Sequence, residues 1–162
     1  RALAALEEAG LLRLVITQNI DGLHQAAGSR NVIEIHGDHR RLQCLRCGHL
    51  EEVTPERLAE RVPACPTCDA PLKPNVVLFG EAARDLDEVE DAVRRCDLIL
   101  VIGTSAQVYP AAAIPPAVRA GGGAIIEFNL EGELTLGGVP PEFLFPGPAG
   151  ETLPRFARMA LD

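Results

Sequence analysis

The sequence predicts an α/β protein: an open, doubly wound parallel sheet interrupted by an inserted four-cysteine module. Three observations carry this. Short apolar runs of the kind that form buried parallel strands recur along the chain and alternate with stretches of helical composition. Polar residues cluster where those runs stop, which is where open α/β sheets build ligand sites. Between residues 40 and 74 the composition changes to four cysteines, several prolines and charges without a clear period.

Taken in order, Arg1 to Ala9 reads as the end of a helix, with Leu3 and Leu6 as its apolar contacts and Gly10 as its C′ residue. The chain opens without Met, already in helical composition and with no N-cap before Arg1, so a fragment of a longer chain is expected. Leu11 to Ile16 is a strand, Asp21 to Ala27 a short helix closed by Gly28, and Asn31 to Ile35 a second strand that ends at His36-Gly37. After the cysteine-bearing stretch, Asn75 to Phe79 returns to an apolar run. Asp85 to Arg95 is an amphipathic helix with Leu86, Val89 and Val93 on one face and acids weighted to its start, which suits the macrodipole. Asp97 to Ile102 is a strand followed directly by Gly103-Thr104-Ser105. A helix near Ala111 to Ala120 ends at three glycines, and Ala124 to Phe128 is another buried strand ending at Asn129. Gly132 to Pro141 reads as loop, Glu142 to Phe145 as a last short strand, and Glu151 to Leu161 as a closing helix.

Composition bounds the function. With 47% apolar and 23% charged residues over 162 positions, this is an ordinary globular domain carrying at most a small insertion. A net charge of −8 argues against broad binding to a phosphate backbone and is compatible with a basic partner surface. Aromatic residues make up only 4% and Trp is absent, so nucleobase stacking platforms are not expected, and nucleic acid is not an expected partner. No apolar run approaches the roughly 20 residues that span a bilayer, and no signal-peptide pattern opens the chain; no membrane partner and a cytoplasmic location are the simplest expectations.

Cys44-x-x-Cys47 and Cys65-x-x-Cys68, separated by 17 residues, read as two knuckles whose turns aim four thiolates at one Zn²⁺. Two disulfides are disfavoured in a cytosolic chain, and a redox pair by there being two of them. With all four positions filled by cysteine, no site is left open for water, so the metal is structural. His49 is adjacent but surplus. Cys96, at a helix end before a buried strand, reads as a packed thiol.

His36 is the candidate general base, because an imidazole titrating near neutrality at a strand end suits proton abstraction. His24 and His39 are weaker candidates for that role. Gly103-Thr104-Ser105, with small side chains and free backbone N–H groups, suits a phosphate or ribose contact. Asn129 at the end of the next strand can bond a ribose hydroxyl. Neither GxGxxG nor a Walker sequence occurs. These residues by themselves specify a nucleotide-binding α/β domain with a zinc knuckle pair.

Several stretches, in this order, resemble the sirtuins, the NAD-dependent protein deacylases. They are TQNIDGLH (Thr17–His24), EIHG (Glu34–Gly37), the two CxxC pairs, KPNVVLFGE (Lys73–Glu81), VIGTSAQVYPAA (Val101–Ala112), FNLE (Phe128–Glu131) and GPAGETLP (Gly147–Pro154). The resemblance implies a Rossmann-like sheet over residues 1–39 and 75–162, with the zinc-ribbon module of residues 40–74 inserted. It implies transfer of an acyl group from acyl-lysine to the ADP-ribose of NAD with release of nicotinamide. His36 would be the base on a ribose hydroxyl, and Asn19 a second catalytic residue. Gln18, Asn19 and Ile20 would lie at the nicotinamide ribose, with Asp21 at the carboxamide. Gly103, Thr104 and Ser105 would meet the phosphates and the adenine-side ribose. Asn129, Leu130 and Glu131 would line the adenosine half, with Ala149 at the adenine. Val76, Val77, Phe79, Gly80, Glu81 and Val108 would hold the acyl-lysine peptide as an added strand.

The resemblance also implies that the sheet's first strand and a glycine-rich cofactor loop belong before Arg1. Without them, strands Leu11–Ile16 and Asp97–Ile102 would each expose an unpaired apolar edge, and the 162 residues alone would bind NAD poorly and deacylate at background rate. The acyl preference is set in that same region. Gly132 to Pro141 matches the family pattern only loosely. Two other functions fit the residues: ADP-ribosyl transfer to a protein, and a non-catalytic zinc-ribbon binding module.

Overall fold

The structure is a computed structural model and describes residues 1–130 and 138–162. Helix α1 (Ala2–Glu8) is followed by strand β1 (Val15–Thr17), helix α2 (Leu23–Ala26), and strands β2 (Val32–Glu34), β3 (Gly37–Cys44) and β4 (Leu50–Glu52). Helix α3 (Pro55–Ala59), strand β5 (Leu72–Val76), helix α4 (Leu86–Arg94) and strand β6 (Leu98–Ile102) come next. A 3-10 turn (Ala111–Ala113) leads into helix α5 (Ile114–Ala120), strands β7 (Ala124–Asn129) and β8 (Phe143–Pro146), and helix α6 (Ala149–Leu161). The chain divides into two compact units, Val15–Asp85 on one side and Arg1–Leu14 with Leu86–Asp162 on the other.

In the unit of Leu86–Asp162 with the N-terminal residues, β6, β7 and β8 form a parallel sheet in that order, with Leu98 opposite Ala124 and Ile126 opposite Phe143. The uninterrupted apolar runs explain the parallel pairing, since such strands need cover on both faces. Ile125 and Phe128 are fully buried. Phe128 stacks on Phe145 with ring centroids 4.9 Å apart, and Phe156 of α6 meets both rings edge-on at 5.4 and 5.7 Å. Leu3 of α1 packs into the same cluster, and α1 runs against α6. Glu142 is held by Arg119, which lowers its carboxyl to about 2, and its Oε2 accepts from Ile125 N at 2.6 Å.

In the unit Val15–Asp85, β1 and β2 pair in parallel, with Val15 opposite Val32. β3 lies between β4 and β5, antiparallel to both. Thr54 caps α3 by accepting from Arg57 N at 3.3 Å. Among the described residues, β1 and β6 are each hydrogen-bonded along one edge only, and Leu98 is 48% exposed. No helix of the described residues is long and apolar enough to cross a membrane.

Several expected boundaries move. The strand expected from Leu11 begins only at Val15, because Leu11 serves the preceding helix. Leu11 N donates to Leu6 O and Gly10 N to Glu7 O, a Schellman end that requires the left-handed Gly10. The helix expected over Asp21–Ala27 is a single turn from Leu23, because Gly22 is left-handed and Asp21 Oδ1 accepts from Leu23 N at 3.0 Å. The helix expected from Ala111 is a 3-10 turn before α5, where Pro115 and Pro116 occupy the first α-helical turn. The loop expected over Gly132–Pro141 lies mostly outside the described residues, as does Glu131.

Candidate functional site

Within the unit Val15–Asp85, the ends of β1 and β2 are tied together by backbone bonds. Ile35 N donates to Thr17 O at 3.1 Å, and His39 N donates to Ile20 O at 3.2 Å. Buried Thr17 accepts from Asn19 N at its hydroxyl, 3.1 Å away, which fixes the turn that carries Gln18, Asn19, Ile20 and Asp21. Half-buried His36 places Nδ1 3.2 Å from the carbonyl of Gln18. A carbonyl only accepts, so Nδ1 carries the proton and the neutral ring keeps its lone pair on Nε2. That tautomer leaves Nε2 as a proton acceptor. His39, exposed, turns its own Nδ1 onto the Ile20 carbonyl. Asn19 and Asp21 are exposed, and Asp21 Oδ1 is engaged by the Leu23 N–H.

The segment after β5 returns to the same strand end. Val77 N donates to His36 O at 2.9 Å and Arg84 N to Ile35 O at 3.0 Å. Between them Leu78 and Phe79 are exposed, Phe79 fully so. Glu81 accepts from Leu78 N at 2.9 Å and from Lys73 Nζ at 2.6 Å; these contacts, Lys73 foremost, hold its carboxyl below the ordinary range. Three backbone N–H groups of the stretch expected to pair with a peptide, those of Val77, Leu78 and Glu81 (the last donating to Leu78 O at 2.9 Å), are therefore already engaged.

Behind Gly37 lies a polar network that the sequence reading missed. Asp38 and Asn75 are both fully buried. Arg41 Nη2 and Asn75 Nδ2 donate to Asp38 Oδ2 at 2.7 and 2.9 Å, and Arg40 N to Oδ1 at 3.0 Å. Burial alone would raise the Asp38 carboxyl, but the bonds from Arg41 and Asn75 outweigh it and hold it below its ordinary value. Arg84 donates onward to Asn75 Oδ1 and, at 3.0 Å, to Gln43 Oε1. Gly37 has φ +75°, and a Cβ there would lie 2.0 Å from the carbonyl of Asn75, so only glycine fits.

The four cysteines converge. Their sulfurs all lie within 4.8 Å of one another, with Cys44–Cys68 and Cys47–Cys65 each at 3.5 Å, and none is in a disulfide. A tetrahedral Zn²⁺ with bonds of ~2.3 Å sets its sulfurs ~3.8 Å apart, which this cluster fits. The two knuckles share one hydrogen-bond pattern: Gly48 N to Cys44 O and Cys44 N to His49 O, then Asp69 N to Cys65 O and Cys65 N to Ala70 O. Both turn on a left-handed residue, Gly48 at φ 77° and Asp69 at φ 60°. The Cys47 backbone N–H lowers Cys44 to about 7. The His49 N–H favours the Cys47 thiolate, yet burial and the three neighbouring sulfurs push that thiol up to about 12. Four sulfurs this close cannot all ionise without a cation among them.

In the other unit, Gly103 N donates to Phe128 O at 2.9 Å, so this N–H, expected to be free, is engaged. Thr104 Oγ1 accepts from Ala106 N at 3.1 Å, and Ser105 is exposed. Asn129 Nδ2 bridges Thr104 O at 3.0 Å and Glu127 Oε1 at 3.2 Å, so Thr104 and Asn129 do meet. Leu130 and Val108 are exposed, and Ala149 opens α6. Glu127 is fully buried within an apolar strand, and its Oε2 has no partner among the described residues. Its charge inside the run Ala124–Phe128 was the signal by which the sequence could have flagged it.

Comparison with known proteins gives one consistent result. The model of the Sir2 family matches residues 1–110. An NAD-dependent protein deacylase of Pyrococcus furiosus is 42% identical over 163 residues, covering 95% of this chain and 64% of that protein. A Sir2 homologue, a triple mutant in complex with 2′-O-acetyl-ADP-ribose, superposes with a TM-score of 0.90 at 41% identity, covering 99% of this chain and 64% of that one. A Sir2 protein bound to an acetylated peptide gives 0.85 at 36% identity, with 99% and 67% covered. The chain thus spans about 64% of the length of the curated relative.

Proposed function

The chain belongs to the Sir2 family, and we propose that it carries the proton-abstracting and peptide-holding residues of an NAD-dependent protein-lysine deacylase. The observation that carries this reading is the bond from His36 Nδ1 to the Gln18 carbonyl, which leaves Nε2 free to accept a proton. NAD supplies the ADP-ribosyl group that receives the acyl group as nicotinamide leaves. His36 takes the proton of a ribose hydroxyl. Gln18, Asn19 and Ile20 orient that ribose, Asn19 with a catalytic share, and Asp21 holds the carboxamide. Gly103, Thr104 and Ser105 receive phosphates and ribose. Asn129, Leu130 and Glu131 receive the adenosine half, with Ala149 at the adenine.

Val76, Val77, Phe79, Gly80, Glu81 and Val108 hold the acyl-lysine peptide. Because the Val77, Leu78 and Glu81 N–H groups and the Leu78 carbonyl are engaged, that stretch grips through its remaining backbone groups and the apolar Phe79. Cys44, Cys47, Cys65 and Cys68 hold a structural zinc in an inserted module of residues 40–74, the remainder, 1–39 and 75–162, forming the nucleotide-binding body. Free cysteines gathered for a metal accord with a cytoplasmic location. The relatives' names and their acetyl-ADP-ribose and acetylated-peptide complexes support this chemistry.

The test is nicotinamide release by the protein that carries this chain, supplied with NAD and an acetyl-lysine peptide. Release that needs the peptide, yields acetyl-ADP-ribose and falls roughly 100-fold or more in His36→Ala is expected. Turnover unchanged by His36→Ala, or ADP-ribose found on a protein acceptor, would overturn the reading.

A further inference from the structure

The segment 77–84 is closed on itself at the strand end that carries His36: its first N–H rests on His36 O and its last on Ile35 O, adjacent residues of one chain. Arg84 ends this loop, and its guanidinium does more than cap it. One nitrogen reaches Asn75 of β5, and another reaches Gln43 of β3 at 3.0 Å. Its central carbon lies 3.4 Å from where a Cβ on Gly37 would stand, so the planar group covers the backbone immediately after His36. Asn75 is in turn anchored on the buried Asp38 carboxylate at 2.9 Å. A rigid, planar donor fork that joins two strands and a loop transmits the position of one to the other.

We infer that Arg84 is a positioning residue that sets the exposed loop of Leu78 and Phe79 against His36, and so fixes where an acyl-lysine peptide lies relative to the base. This rests on the deacylase reading above. Arg84 touches no reacting atom. Its effect falls on the peptide rather than on NAD, because its guanidinium bonds only β5 and β3, its backbone N–H holds the loop to Ile35, and none of these bonds is to the Thr17–Asp21 turn. Lysine cannot replace it, since one ammonium cannot reach Asn75 and Gln43 in the same fork.

Two readouts test this in the protein that carries the chain. In Arg84→Ala, hydrogen exchange at Val77, Leu78 and Glu81 speeds up while the cysteine knuckles keep their protection. The peptide KM rises about tenfold, the factor that ~1.4 kcal/mol gives, with the NAD KM within about twofold of wild type. Gln43→Ala, which leaves the loop and the buried Asp38–Asn75 bond intact, shifts both readouts the same way by about threefold. It adds nothing on top of Arg84→Ala. Unchanged exchange in 77–84, a parallel rise in both KM values, or multiplying effects of Gln43→Ala and Arg84→Ala would overturn the inference. A wild-type protein without peptide-dependent nicotinamide release would overturn the functional reading instead, leaving exchange to decide the loop's attachment.

Discussion

The cysteine knuckles and the network behind Gly37 lie in one compact unit but are held by opposite means. Each knuckle is closed by bonds spanning at most five residues, and the two together gather four sulfurs that repel one another as thiolates until a cation joins them. The network gathers residues up to 41 positions apart and neutralises its buried carboxylate with the protein's own arginines and an amide. With the proposed zinc, one region depends on metal and little on distant chain. The other depends on the long-range fold and not on metal.

The largest effect expected from that contrast is metal removal. A strong chelator, or Cys65→Ser, should strip one zinc per chain by elemental analysis and melt β3, β4 and β5, since binding energy at such a site is folding energy. Next comes Gly37→Ala. The alanine must adopt φ +75° and displace the Asn75 carbonyl, at a cost of about 3 kcal/mol in urea unfolding, with zinc content retained.

Asp38→Asn should cost about 2 kcal/mol, because Arg41 loses its charged acceptor while the side chain stays buried. The same variant carries a pH signature. Asp38 titrates below its ordinary value in the folded protein, so its stabilisation is present above about pH 4 and is lost as pH falls through the folded pKa. Asp38→Asn should flatten that acid limb; an unchanged limb would show that the carboxylate's partners do not stabilise it.

The smallest effect is within the knuckles. Gly48→Ala should cost about 1 kcal/mol, whereas Asp69→Gly, at the equivalent left-handed position, should stay within about 0.5 kcal/mol of wild type by the same assay.

How much of this was legible follows from range. The CxxC spacing, the strand runs Asp97–Ile102 and Ala124–Phe128, and the polar turn after Thr17 are local patterns, and they stand nearly where they were read. Leu11 was misread because helix capping competed with strand formation, and an apolar run does not show which will win. Asp38, Asn75 and Arg84 gave no local signal, because the bonds that join them to one another exist only once β3 and β5 are side by side. His36 stood out by residue type, but its tautomer came only from the carbonyl 18 residues away.

The proposed function rests on that tautomer, and ring-nitrogen shifts of neutral His36 in a long-range proton–nitrogen NMR spectrum report it. The proton should sit on Nδ1, bonded to the Gln18 carbonyl, with Nε2 showing the shift of an unprotonated, pyridine-type nitrogen. A neutral ring protonated on Nε2 would contradict the assignment of His36 as the base.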